Sequence, residues 1–225
     1  MIHERNLPLQ PLTTFGRSDG RCLAFLVGNT KEVWPKFKTW LNEQGEHWPK
    51  IQNPFDTYTE TSIRQATAES FETQTDLFWA ADEGERLVSF QRVAEVASVA
   101  FLDTALHLSV HPKFGAWVSW RALVVVDSCP KAFGLPELPP HPLPCPIPKE
   151  VRDLAAEKSA AAMQQFNAVS GAVRQAAGST QLAVWRLFLE IRDLVEIGRD
   201  EWRFGPEQLE YHYTKNISIL QPAGA

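Results

Sequence analysis

The sequence predicts an α+β protein, an antiparallel sheet flanked by helices, with a helical C-terminal part. Three observations carry this expectation. Short apolar runs at 22–28, 77–81, 106–110 and 117–127 have strand length, and the last alternates with a two-residue period. Helical periodicity is interleaved among them, over 33–41 and 87–101. Eight prolines between Pro130 and Pro148 then exclude a helix or an interior strand, and beyond them the pattern is helical.

Composition narrows the class of function. At 225 residues and 44% hydrophobic, the chain is long enough for one sizeable core, read as one domain. A net charge of −5 argues against a nucleic-acid binder that tracks phosphates. No stretch has the length of a membrane span, and residues 1–10 carry neither an apolar leader core nor a transit composition. Cys22, Cys129 and Cys145 show neither zinc-ligand spacing nor a disulfide framework. These features predict a soluble, cytoplasmic protein. Eight tryptophans are a large supply for a core, and they also suit the walls of a flat ligand's site.

In order, residues 1–21 read as an irregular lead-in, and 22–129 as a sheet-and-helix core. Residues 130–148 are a proline-rich crossing, and 149–220 a helical part of the same domain. Cys22–Gly28 is a buried strand. Asn29 or Thr30 caps a helix whose stripe is Val33, Phe37 and Leu41, and Gly45 stops it. Residues 46–60 read as loop, Ile63–Phe71 as helix, and Leu77–Ala81 as a short or edge strand. Gly84 opens a helix with Leu87, Phe90, Ala94, Ala97 and Phe101 on one face. Leu106–Val110 is expected to pair with 117–127 as a hairpin across a His-Pro turn. Helices are expected over Lys149–Ala177, Thr180–Ile197 (Leu182, Trp185, Phe188 or Leu189, and Val195 inward) and Glu207–Tyr213. The tail after Ile219 reads as unstructured.

The most informative stretch is His111–Asp127, HPKFGAWVSWRALVVVD. Strand alternation puts Val118, Trp120, Ala122, Val124 and Val126 on one face, and Ser119, Arg121, Leu123 and Val125 on the other. Arg121 therefore stands among apolar neighbours, where a guanidinium cannot shed its charge and needs an anionic partner. That partner is either a structural carboxylate or a ligand. The remaining candidates also have plain structural readings. His111 before Pro112 suits a turn as well as a ligand contact. Arg186, Arg192, Arg199 and Arg203 suit a solvated helix face paired with Glu190, Asp193, Glu196 and Asp200. Tyr211 and Tyr213, near Lys215, suit either a pocket wall or packing. No nucleophile elbow, P-loop, dinucleotide fingerprint or HExxH motif is present, and the six histidines show no metal-ligand spacing, so no metal site is expected.

These residues resemble a family. HPKFGAWVSWRALVVV is similar to the His-Pro-Arg-Phe-Gly-Gly-Trp-Phe motif and following strand of the cblC-type cobalamin-processing proteins, the cyanocobalamin reductases / alkylcobalamin dealkylases. RCLAFLVGNTKEVWPKFKTWL resembles that family's early strand and helix. The alanine-rich segment Leu87–Phe101, LPELPPHPLPCPIPKEVRDL, and Arg192-Asp193-Leu194-Val195 follow in the family's order. The resemblance spans roughly 7–220.

It implies a flavin-reductase/nitroreductase-like fold. It also implies cobalamin bound base-off and loss of the upper axial ligand, by reductive decyanation or by glutathione-dependent dealkylation. Arg121 and Arg192 match the glutathione pocket, where carboxylates suit guanidinium forks. The family's third arginine falls near Lys215, which would supply a point charge instead. Phe114, Gly115, Trp117, Ser109, His111 and Glu95 match positions against cobalamin. Ser109 replaces a cysteine and Glu95 a histidine. The connection from Phe101 to His111 is shorter than usual, and 168–184 looks rebuilt. Glutathione is the implied co-substrate and FMN a further cofactor. A reductase or a downstream cobalamin carrier is the implied protein partner. Two alternatives stay open, a non-catalytic corrinoid carrier and a flavin-dependent reductase of the same fold.

Overall fold

The computed structural model describes residues 12–135, 143–168 and 179–221. The first apolar run forms β1 (Leu23–Asn29), and α1 (Val33–Glu43) follows, turning Phe37 and Leu41 inward. Pro54 opens α2 (Pro54–Ser70), where its missing N–H costs nothing and its fixed φ suits a helix start. Then come β2 (Thr75–Trp79), α3 (Phe90–Val96) and two short strands, β3 (Phe101–Asp103) and β4 (Leu108–Val110). β5 (Ser119–Val126) is the last strand among the described residues. The second half supplies α4 (Lys149–Ala168), α5 (Ser179–Leu194), the single turn α6 (Arg199–Trp202) and α7 (Pro206–Thr214).

β5 is the middle strand of an antiparallel sheet ordered β1-β5-β2. Its C-terminal half, Ala122 to Val126, is buried on both faces, as an unbroken apolar run requires. Leu123 and Val125 pack with Phe78, Val88 and Phe90. A second core joins Leu106 and Val110 to Ile191 and Val195 of the α5 region and to Ala155 and Ala162 of α4. Phe37, Leu41, Phe55, Tyr211 and Leu220 form an aromatic-rich third.

The β1–β5 ladder breaks register at one place. Val27 faces Ala122 and Gly28 faces Trp120, so Arg121 is the extra residue of a bulge. Bulges re-aim a side chain and raise local twist. A Cβ on Gly28 would lie 2.8 Å from the Trp120 ring, so the bulge also needs the glycine opposite it.

Several expectations are corrected. Leu108–Val110 pairs with Phe101–Asp103 in a separate ladder and not with β5, which already has β1 and β2 as neighbours. The His111 turn thus joins two sheets and closes no hairpin. The helix expected from Gly84 is confined to Phe90–Val96, and Phe101 belongs to β3; Ser98, at φ +55, ends the helical path. The expected loop over 46–60 contains a 3₁₀ turn (Gly45–Lys50) and the first turns of α2. Asn29 does not cap α1; its side-chain oxygen is taken by Arg121. Past Ile219, Leu220 still packs into the core. The expectations for residues 136–142, for the helix end beyond Ala168 and for the Leu182 side chain lie outside the described residues.

Three local devices hold these pieces together. Asp103, with no exposed surface, accepts from the backbone N–H groups of Ala105 and Leu106 (2.9 and 3.1 Å) and from Arg152 Nε of α4 (2.6 Å). Arg86 lies along the open side of β2. It donates to the Leu77 carbonyl at 2.5 Å and to Asp76 at 2.9 Å, and it covers the Phe78 ring at 4.3 Å. Gly115, at φ +57, presses the turn against the chain after α5, where a Cβ would lie 1.7 Å from the Ile197 carbonyl oxygen. Gly115→Ala combines a left-handed backbone with a backbone clash, and is expected to cost at least about 2 kcal/mol in urea unfolding. A loss under about 0.5 kcal/mol would show that this turn does not dock there.

Candidate functional site

Position 121 in the middle of β5 places a guanidinium inside the protein, and the bulge turns it away from the apolar core. The Arg121 side chain is 13% exposed, with Nε donating to Asn29 Oδ1 at 2.5 Å and Cζ 4.7 Å over the Phe55 ring. Its anionic neighbour is Asp56 in the first turn of α2, with Oδ1 3.8 Å from Nη1, beyond hydrogen-bond range. Burial lowers the Arg121 pKa and Asp56 opposes the shift, but a guanidinium stays charged throughout. Asp56 is itself partly exposed, so Arg121 is not sealed by a buried carboxylate.

A cavity of about 320 Å³ opens beside it, between α3, β4, β5, α5 and α7. Its apolar wall includes Phe90, Leu106, Trp120, Phe188 and Ile191, and its polar groups include Ser109, Arg121, Arg192, His212 and Tyr213. Ser109 is 8% exposed, and its Oγ has no hydrogen-bond partner among the described residues. An unmet buried hydroxyl costs about 1–3 kcal/mol, which a polar ligand atom would offset.

Arg192 reaches the cavity from α5. It is 7% exposed, donates from Nε and Nη2 to the Ala116 carbonyl (3.1 and 2.7 Å), and donates from Nη1 to the Tyr213 hydroxyl at 3.0 Å. Its guanidinium lies 4.4 Å over the ring of Trp117, which is fully buried; Phe204 meets that ring edge-on at 5.8 Å. The solvated-face reading fails for Arg192. It fits Arg203, which holds Asp193 through two bonds of 2.7 and 3.0 Å, and Arg199, which meets Asp200 at 3.3 Å.

Of the residues singled out from sequence, Ser109, Arg121 and Arg192 share the cavity wall. The others stand elsewhere. His111 is a turn residue whose Nδ1 accepts from the N–H groups of Lys113 (3.0 Å) and Phe114 (3.2 Å). Burial and then Lys113 hold its pKa below the usual histidine range, which suits an acceptor nitrogen. Phe114 packs on Trp202 at 4.8 Å and on His111 at 4.5 Å. Gly115 shapes the turn, and Trp117 fills the core beneath Arg192. Glu95 sits partly exposed on α3. Lys215, just past α7, places Nζ 3.6 Å from Asp56 Oδ2, so one carboxylate faces both Lys215 and Arg121.

Two residues of the site escaped sequence reasoning. Asp56 fell in a segment read as loop. His212 has no local motif; the available signal was its place between Tyr211 and Tyr213 on a short helix. It borders the cavity, with Tyr213 edge-on at 5.0 Å and Phe204 at 6.2 Å. Burial, then the charges of Arg121, Arg192 and Lys215, hold it well below the usual histidine range. The site is thus a mostly apolar cavity with a strongly cationic end. It suits an anionic ligand with an apolar body.

No protein-family profile matches the chain, and no curated protein matches it by sequence. The fold is similar to the crystal structure of a B12-trafficking protein from C. elegans, CblC, described as a human MMACHC homologue. The TM-score is 0.60 at 16% identity, over 92% of this chain and 80% of that one. At that identity the likeness is one of fold. It bears out the expected class, an antiparallel sheet flanked by helices in a nitroreductase-like arrangement.

His212 also sets a pH dependence. The unfolded chain takes up its proton near pH 6.5, while the folded protein resists until well below that. Stability should therefore fall as pH drops below about 6.5, at up to about 1.4 kcal/mol per unit from this group. His212→Gln should lack that component. Parallel stability curves for the two proteins between pH 7 and 5 would show that His212 is not buried neutral.

Proposed function

We propose that this protein binds cobalamin base-off and removes its upper axial ligand, with a thiol co-substrate such as glutathione held at Arg121 and Arg192. The observation that carries this is convergence. Two arginines 71 positions apart (192 − 121), chosen for their likeness to one family's glutathione pocket, line a single cavity in a fold similar to CblC. Lys215, the third residue chosen, stands across Asp56 from Arg121.

The cavity is near the small end of ligand sites, about 300–1,000 Å³. It suits a tripeptide-sized molecule or one appendage of a corrinoid; the macrocycle itself would lie over the mouth. In this reading the guanidiniums bind the glutathione carboxylates and fix the thiol toward the mouth, and the cationic surroundings favour thiolate over thiol. The thiolate attacks the carbon bound to cobalt, a C–S bond forms, and the Co–C electron pair stays on cobalt. Loss of the lower nitrogen ligand makes cobalt a better leaving group and easier to reduce, which also serves decyanation. An FMN phosphate held at these two arginines would compete with glutathione, so in this reading flavin is not resident beside the thiol. Reduced flavin, or a partner reductase, is then an external donor for decyanation.

A carrier without chemistry is the second reading. Both arginines already have internal partners, Asn29 and Asp56 for one, Ala116 and Tyr213 for the other. The visible spectra of methylcobalamin and cyanocobalamin mixed with the protein separate the cases. A blue shift marks base-off binding, and its decay with glutathione or reduced flavin marks turnover. Arg121→Lys, which keeps charge but loses the fork, should slow glutathione-dependent turnover at least tenfold while keeping the shift. A shift without turnover leaves a carrier, and no shift with either corrinoid rejects the proposal.

A further inference from the structure

We infer that Asp56 is the internal counter-ion of the anion site, one that an incoming carboxylate or phosphate must replace. This deepens the proposed function and rests on its claim that the cationic end of the cavity receives an anion. Asp56 is the third residue of α2, on the element whose Phe55 ring lies under the Arg121 guanidinium. Its two oxygens are divided, Oδ1 toward Arg121 Nη1 at 3.8 Å and Oδ2 toward Lys215 Nζ at 3.6 Å.

Both separations exceed a hydrogen bond, in contrast to the 2.5 Å bond from Arg121 Nε to Asn29. Asn29 thus fixes where the guanidinium points, while Asp56 balances charge from a distance. The carboxylate offsets much of the repulsion between the two cations but comes no nearer than 3.6 Å to either. A ligand anion approaching to about 2.8 Å would form the charge-assisted bonds that Asp56 does not. The side chain of Asp56 is 36% exposed and that of Lys215 45%, so both can turn toward solvent when displaced. Affinity for the ligand is then reduced by the energy of the internal contact, and an uncharged ligand gains nothing from the exchange.

The test compares wild type, Asp56→Asn and Asp56→Glu for binding of glutathione and, separately, of inorganic phosphate, by calorimetry and by thermal shift. Asp56→Asn keeps shape and removes charge, and should bind the anions three- to tenfold more tightly. Asp56→Glu, longer by one methylene, brings the carboxylate within bonding range of the cations and should bind them more weakly than wild type. Tighter binding of both anions by Asp56→Asn supports the inference. Tighter binding of phosphate with no glutathione binding in any form supports it while rejecting glutathione as the co-substrate. Unchanged or weaker binding by Asp56→Asn, or no anion binding in any of the three proteins, overturns it.

Discussion

A guanidinium that cannot lose its charge has been placed in the central strand of a sheet, and much of the surrounding structure answers that constraint. Burying an unpaired ion is prohibitive, so each face of Arg121 needs a neighbour. Asn29 takes Nε, the Phe55 ring takes the flat face, and Asp56 supplies charge. The bulge opposite Val27 and Gly28 makes the arrangement possible, because a regular ladder would aim this position by strict alternation. The end of β5 that opens onto the cavity and the end buried in the core are therefore the same strand on either side of one irregularity.

Arg192 plays a different part on the opposite wall. Its donors fasten the Ala116 carbonyl to α5, and its flat face covers Trp117. The His-Pro turn, joined at Gly115 to the chain after α5, belongs to this fastening. Residues that resemble a ligand wall in sequence thus act, in the described contacts, as the frame that positions the arginine. A frame of this kind allows little slack. Moving the turn moves Ala116, and with it the guanidinium that faces the cavity.

Much of this was legible in the sequence, and the misses have specific physical causes. The apolar run of β5, the stripe of α1 and the C-terminal helices follow from periodicity and burial alone. Pairing partners do not. Leu108–Val110 is next to the turn in sequence, yet β5 had two longer neighbours to satisfy, and its ladder bonds were already taken. The start of α2 was hidden because Pro54 reads as a breaker everywhere except the first helical turn. At the site, Arg121 was identifiable from a charge among apolar residues, and Arg192 from its resemblance to a motif. Asp56 and His212 were not, since what they do depends on three-dimensional neighbours that no local pattern encodes.

Among the described residues the order β1-β5-β2 leaves β1 and β2 each with an unpaired side, and that of β2 is not left bare. Arg86 lies over it, bonded to the Leu77 carbonyl and to Asp76, with Phe78 beneath. Another strand adding there would have to displace a guanidinium from a carbonyl, break its ion pair and strip its hydration together. A five-residue strand repays little of that cost. One side chain outside the candidate site thereby discourages a second copy of the chain from pairing along β2.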